Sequence, residues 1–163
     1  IRLDAYWPMI EGKTSALLAC CSELGALTAG ADKTIQRLFR EFGNELGLAF
    51  QVVDDWLGIW GDAVMIGKST DSDLASGKKT LPVIFGLEKS SEFVEMWQYG
   101  IGVPEASQAL AGKLEAIGAQ EYTLLQAETH TQKALHMLEE AIPDPEILQI
   151  LKDLTFDLLS RKK

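Results

Sequence analysis

The sequence predicts an all-α protein, a helical bundle, and three observations predict it. Apolar residues recur at helical spacing almost throughout, as in Leu17, Leu18, Cys21, Leu24, Ala26 and Leu27. Glycines and prolines punctuate that spacing: Gly30 and Gly118 stand where helices should stop, Pro82 and Pro104 where they should start. No segment of alternating apolar and polar residues bounded by turn signals marks a strand.

The first helix is expected over residues 14–28, opened by Gly12-Lys13-Thr14 and stopped by Gly30. Asp32 is placed to cap a second helix from 34 to about 60, which holds no proline and would measure roughly 40 Å. Residues 61–79 lose the period and mix Gly, Asp, Ser, Thr and Lys, which predicts an ordered loop or a broken helix. Helix resumes at Thr80-Leu81-Pro82 and runs to about 97, with a break near 89–91. Gly100-Ile101-Gly102 reads as a loop, and Pro104 opens a helix to 117 that Gly118 closes. Residues 119–141 are helical again, ended by Pro143 and Pro145, and Asp144 caps the last helix. The whole chain, 1–163, is expected to form a single helical domain.

Composition narrows the class. Apolar residues make up 47% and charged ones 24%, the balance of an ordinary globular protein. A formal net charge of -9 argues against nucleic acid as a partner, since phosphate backbones need a basic face. No transmembrane segment is expected, because no run reaches the length of a membrane span without charge. Cys20 and Cys21 are adjacent and the only cysteines, so no disulfide framework exists, which fits a cytoplasmic location.

The informative segment is Leu46 to Asp62. On a helical wheel, Asn44, Gly47, Gln51, Asp54, Asp55 and Gly58 share one wedge, and the rest of the circumference is apolar. Two adjacent carboxylates on a buried helix repel each other and resist desolvation unless a cation offsets them. Lysines or a hard divalent metal could do that, and carboxylates with water and phosphate oxygens are the usual shell of Mg²⁺. Downstream, Lys68 after Gly67 and Lys78-Lys79 after Asp73 supply local positive charge of the kind that binds phosphate. Upstream, Lys13-Thr14 offers an ammonium and a hydroxyl, without the spacing of a P-loop.

In this order, Lys13-Thr14, the run from Gly47 through Gln51 to Asp54-Asp55, Gly61-Asp62, Gly67-Lys68, Asp73-Leu74, Gly77-Lys78 and Thr80-Leu81-Pro82 resemble the trans-prenyl diphosphate synthases, or polyprenyl synthetases. The resemblance covers about residues 6–90. It implies the isoprenoid synthase fold and the condensation of isopentenyl diphosphate with an allylic prenyl diphosphate, with Mg²⁺ as cofactor. Asp54 and Asp55 match the second aspartate-rich motif and would hold a metal. Lys13, Lys68 and Lys78 would bind the allylic diphosphate, Thr14 and Gln51 match positions whose oxygens face the cation, and a homodimer is the family's usual assembly.

Two departures stand out. The third carboxylate of the D-D-x-x-D motif is replaced by Gly58, as in bacterial geranylgeranyl-type short-chain members, with Asp62 one turn on as a replacement or a loop cap. The first aspartate-rich motif is absent, so the chain reads as a C-terminal half whose missing N-terminal half is needed for turnover. A class I terpene cyclase shares the ionisation step, but retention of Gly67-Lys68 and Lys78 favours elongation. A non-catalytic subunit of a heteromeric synthase is the remaining alternative, and retention of both aspartates argues against it. His130 and His136 are six apart with no carboxylate cluster beside them in sequence, so zinc is not expected. Gly43 and Gly47 read as a close helix contact, Trp56, Trp60 and Trp97 as core or interface aromatics, and the Arg161-Lys162-Lys163 tail as a solvated end.

Overall fold

Helix follows helix along the chain in the computed structural model, which describes residues 2–61 and 72–160. No strand occurs among the described residues. Helix α1 (Leu3–Ile10) passes through a π turn (Glu11–Ser15) directly into α2 (Ala16–Thr28). Gly30 ends α2 at φ 76°, its N–H reaching Leu27 and that of Ala31 reaching Ala26. The Asp32 Oδ1 then accepts from the amides of Thr34 at 2.8 Å and Ile35 at 3.0 Å, starting the 28-residue α3 (Lys33–Trp60).

A short helix α4 (Ser72–Ala75) precedes α5 (Leu81–Lys89). The break expected near 89–91 lies at Ser90, whose Oγ accepts from the Phe93 amide at 3.1 Å and opens α6 (Ser91–Gly100). A 3₁₀ turn (Pro104–Ala106) leads into α7 (Ser107–Ala116), and Gly118 at φ 78° separates it from α8 (Ala119–Ala141). The Asp144 Oδ1 accepts from Glu146 at 2.9 Å and Ile147 at 3.2 Å to cap α9 (Pro145–Ser160). The expected stops and starts therefore hold to within a residue or two, because each is set by a local side chain or a positive φ. Residues 62–71 and 161–163, with Asp62, Gly67, Lys68 and the basic tail, lie outside the described residues.

One element differs. Gly12-Lys13-Thr14 does not open a helix, because the apolar residues of α1 carry the helix through it and the chain takes a π turn there instead. Lys13 and Thr14 thus work from inside a continuous helical run, where N-terminal amides are not available to an anion.

The chain divides into two compact units, Ile1–Tyr6 with Val52–Leu125, and Trp7–Gln51 with Gln126–Lys163. In the first, Ile59, Leu74, Val83, Phe93, Trp97, Leu110, Leu114 and Ala119 form a buried core, with Trp60 and Phe85 packed against it. The Trp60 Nε1 donates to Glu115 at 2.9 Å, so Trp60 and Trp97 serve that core as expected. In the second, Leu38, Phe42, Leu46, Ala134, Leu138, Ala141 and Ile142 form the core. There α2 lies so close to α3 that a Cβ at Gly43 would come within 2.5 Å of the Leu18 carbonyl oxygen. His130 is used within this second unit, its Nδ1 2.6 Å from Glu45 Oε2 and its ring 5.1 Å from that of Trp7.

Candidate functional site

The first unit holds the aspartates. Asp55 is 2% exposed, and its Oδ2 accepts both the Tyr6 hydroxyl at 2.8 Å and the Leu81 amide at 2.9 Å. That second bond does the work of an N-cap for α5, since the Thr80 side chain at the cap position makes no such bond. Burial pushes the Tyr6 phenol well above its ordinary range, and the charge of Asp55 and its hydrogen bond push it further. Asp54 faces outward, its side chain 39% exposed. The adjacent pair thus has one carboxylate built into the fold and one presented at the surface.

Among the described residues, the Lys78 ammonium lies near both. Lys78 Nζ lies 2.8 Å from Asp73 Oδ2, 3.4 Å from Asp55 Oδ1 and 3.8 Å from Asp54 Oδ2. Burial works to lower the Lys78 pKa, but the hydrogen bond to Asp73 and the charges of Asp55, Asp73 and Asp54 outweigh it and hold the pKa raised. Three carboxylates thus gather around the Lys78 ammonium among the described residues. Among the described residues no three His, Cys, Asp or Glu side chains are grouped to hold a metal ion by themselves. Mg²⁺ keeps water and substrate phosphate in its shell and needs only one or two protein carboxylates. Hard oxygen donors, one of them surface-facing, fit such an ion.

Asp73 reaches this group through the end of α4. Gly77 adopts φ 70°, its amide reaching Leu74 at 3.1 Å while the Lys78 amide reaches Asp73 at 2.9 Å. This pair of bonds is a Schellman end, in which the residue past the glycine turns back over the helix. Here the two residues so apposed are Asp73 and Lys78, and they form an ion pair where an apolar contact is usual.

The second unit holds the other predicted residues. Thr14 Oγ1 donates to Gln51 Oε1 at 3.0 Å. Next to Thr14, Ser15 is buried against Gly47, where a Cβ would stand 2.5 Å from the Ser15 Cα. Gly47 therefore lets the π turn approach α3 closely enough for Thr14 to meet Gln51. Lys13 and Thr14 line one side of a cavity of about 360 Å³ whose other walls are Leu17, Leu18, Leu46, Phe50 and Leu158. Leu18, Leu46 and Leu158 also line a second cavity of about 560 Å³, walled mainly by apolar side chains such as Ile35, Phe39 and Leu151.

Of the residues singled out in the sequence, Asp54, Asp55 and Lys78 come together in one unit, and Lys13, Thr14 and Gln51 in the other. Lys68 lies outside the described residues. Two participants were missed. Tyr6 is distant in sequence and carried no motif. Asp73 was noted, but its contact with Lys78 and Gly58 was not; the signal was the helix-ending Gly77 with opposite charges five residues apart.

The polyprenyl synthetase family profile matches residues 1–117. A geranylgeranyl diphosphate synthase of Mycobacterium tuberculosis is 36% identical over 92% of this chain and 44% of its own length. A heptaprenyl diphosphate synthase component 2 of Geobacillus stearothermophilus is also 36% identical, over 93% of this chain and 48% of its own length. The fold matches a geranylgeranyl pyrophosphate synthase with a TM-score of 0.89 at 32% identity, covering 100% of this chain and 53% of that one. It also matches a polyprenyl synthase of Caulobacter crescentus, complexed with calcium and isoprenyl diphosphate, with a TM-score of 0.87 at 30% identity, covering 100% of this chain and 51% of that one. The chain spans about half the length of these relatives.

Proposed function

Because this chain belongs to the polyprenyl synthetase family, we propose that it forms part of an enzyme that joins isopentenyl diphosphate to an allylic prenyl diphosphate. The observation that carries this reading is the group of Asp54, Asp55 and Asp73 around the ammonium of Lys78, with the Asp54 side chain 39% exposed. Such a group attracts a divalent cation, and a divalent cation there attracts diphosphate.

When bound, Mg²⁺ would supply charge that stabilises the departing diphosphate. Asp54 would hold it. Asp55, tied to Tyr6 and Leu81, keeps the end of α3 and the start of α5 in place around Asp54. Lys13 and Lys68 would bind diphosphate oxygens as point charges. Lys78, which here lies 2.8 Å from Asp73 and 3.8 Å from Asp54, would bind diphosphate oxygens as well. The hydroxyl hydrogen of Thr14 is directed at Gln51, so Thr14 presents oxygen lone pairs to positive charge that develops on the allylic carbon. The apolar walls near Lys13 and Thr14 suit a hydrocarbon tail attached to an anionic head. In this reading the enzyme is a cytoplasmic homodimer.

The test is Asp54→Ala in the full-length protein, assayed for Mg²⁺-dependent condensation. Turnover should fall by about three orders of magnitude, as when charge stabilisation of a leaving group is lost, with the melting temperature little changed. Unchanged turnover would sink the assignment.

A further inference from the structure

The Gly100-Ile101-Gly102 loop, between α6 and the 3₁₀ turn, has a definite shape. The Ile101 amide donates to the Trp97 carbonyl at 3.1 Å, and the Val103 amide to the Gly100 carbonyl at 3.1 Å. Ile101 stands at φ -62°, ψ 129° and Gly102 at φ 78°. These are the two central residues of a type II turn, which favours glycine at the second. Trp97 belongs to the buried core of this unit, so the turn is fixed to that core at its base. It carries Ile101 with 45% of its surface exposed.

The rest of the Ile101 side chain lies against Gly77. A Cβ built on Gly77 would stand 2.5 Å from Ile101 Cδ1 and 2.6 Å from its Cγ1. Gly77, at φ 70°, is the turning point of the Schellman end of α4, and Lys78 follows it directly. Such an end is commonly covered by an apolar contact between the residue after the glycine and the last turn of the helix. In α4 those positions hold Lys78 and Asp73, so the apolar cover comes from Ile101 instead. The helix itself has four residues, too few to be stable by its own hydrogen bonds. Leu74, 1% exposed, joins it to the core, and Ile101 closes its end.

We propose that Ile101 is a positioning residue for Lys78. Seated on Gly77, it keeps the turn closed and fixes the backbone from which the ammonium reaches Asp73 and Asp55. A lysine on a frayed helix end would have to be ordered when diphosphate binds, and that ordering weakens binding. The purpose rests on Lys78 binding diphosphate, as the condensation reading has it; the seating of Ile101 on Gly77 does not.

Two readings on the full-length protein test this. One is hydrogen exchange over residues 73–80 by mass spectrometry, without metal or substrate. The other is affinity for inorganic diphosphate with Mg²⁺, by calorimetry. In Ile101→Ala, exchange should quicken by about tenfold, because local opening no longer has to lift a side chain off Gly77. Diphosphate affinity should fall by about fivefold, the scale on which neighbouring residues couple. A residue that only packs would lower the melting temperature and leave that affinity unmoved. Ile101→Val, which keeps Cγ1, should bind diphosphate more tightly than Ile101→Ala. Gly102→Ala reaches the same seat from the other side. Among the described residues no atom beyond its chain neighbours lies within 4 Å of the added methyl, so it acts through the turn alone. Both readings should shift in the same direction there, and Gly102→Ala decides should Ile101→Ala fail to fold. The proposal is overturned if exchange over 73–80 is unchanged, or if exchange quickens while diphosphate affinity holds. If both readings shift as expected in a protein that forms no condensation product, the condensation reading fails and the positioning of Lys78 stands.

Discussion

The residues that face chemistry sit in two settings that differ in kind. Around Asp54, one ammonium and three carboxylates are packed together, and the arrangement is held by charge and by bonds from Tyr6 and Leu81. Around Thr14, the contact is neutral, a hydroxyl against an amide oxygen, and it is held by how closely Gly47 lets Ser15 approach. The first setting is made of charged groups gathered within 4 Å of one ammonium nitrogen. The second is polar at one edge and apolar beyond it, which suits a substrate with a charged head and a hydrocarbon tail. The contrast teaches how one long helix can serve both purposes. α3 carries Gln51 and Asp54 three positions apart, and their partners come from different parts of the chain.

The largest effect should come from breaking the charged setting at its buried member. Asp55→Ala leaves the Leu81 amide, the Tyr6 hydroxyl and part of the Lys78 charge without their partner, and should cost about 3–5 kcal/mol in denaturant unfolding. That separates it from Asp54→Ala, whose effect falls on turnover. If the two variants lose stability equally, the division of labour within the pair is wrong.

Next comes the neutral setting. Gly47→Ala puts a methyl group against the Ser15 backbone, which cannot move aside as a flexible side chain would. A loss of about 1–3 kcal/mol is expected from this overpacking, again by denaturant unfolding. A smaller change would mean that the π turn gives way easily and does not depend on its approach to α3.

The smallest effect distinguishes the settings by pH. The Tyr6 and Lys78 pKa values are raised above their ordinary 10.0 and 10.5, so the stability they contribute is complete below about pH 10 and is lost as pH rises above it. The melting temperature should fall with alkalinity above about pH 10, and less steeply in Tyr6→Phe, which has no phenol to ionise. The Thr14–Gln51 contact contains no titrating group and should contribute nothing to that slope. Identical slopes in both proteins would show that Tyr6 is not the group responsible.

The sequence and the structure agree where the cause is local. Gly30, Asp32, Ser90, Gly118 and Asp144 mark helix ends that the chain adopts, because each needs only its own φ or its own side-chain oxygen to satisfy an end group. They part at Lys13-Thr14. There the glycine before the lysine suggested a helix start, while the chain runs from α1 through a π turn at 11–15 into α2. The aspartate pair was legible as a carboxylate site, because two acids on an apolar helix demand a partner wherever they fold. Which of the two is buried was not legible.

By itself the sequence determined the helical class, most helix boundaries after residue 28 and the family, through periodicity, caps and an ordered set of motifs. Only the tertiary structure decided that Asp55 is buried and Asp54 partly exposed, that Thr14 meets Gln51, and that Asp73 lies against Gly58. The reason is distance along the chain. Asp55 takes its bonds from residues 49 positions before it and 26 after it, and no local pattern encodes a contact made across that separation.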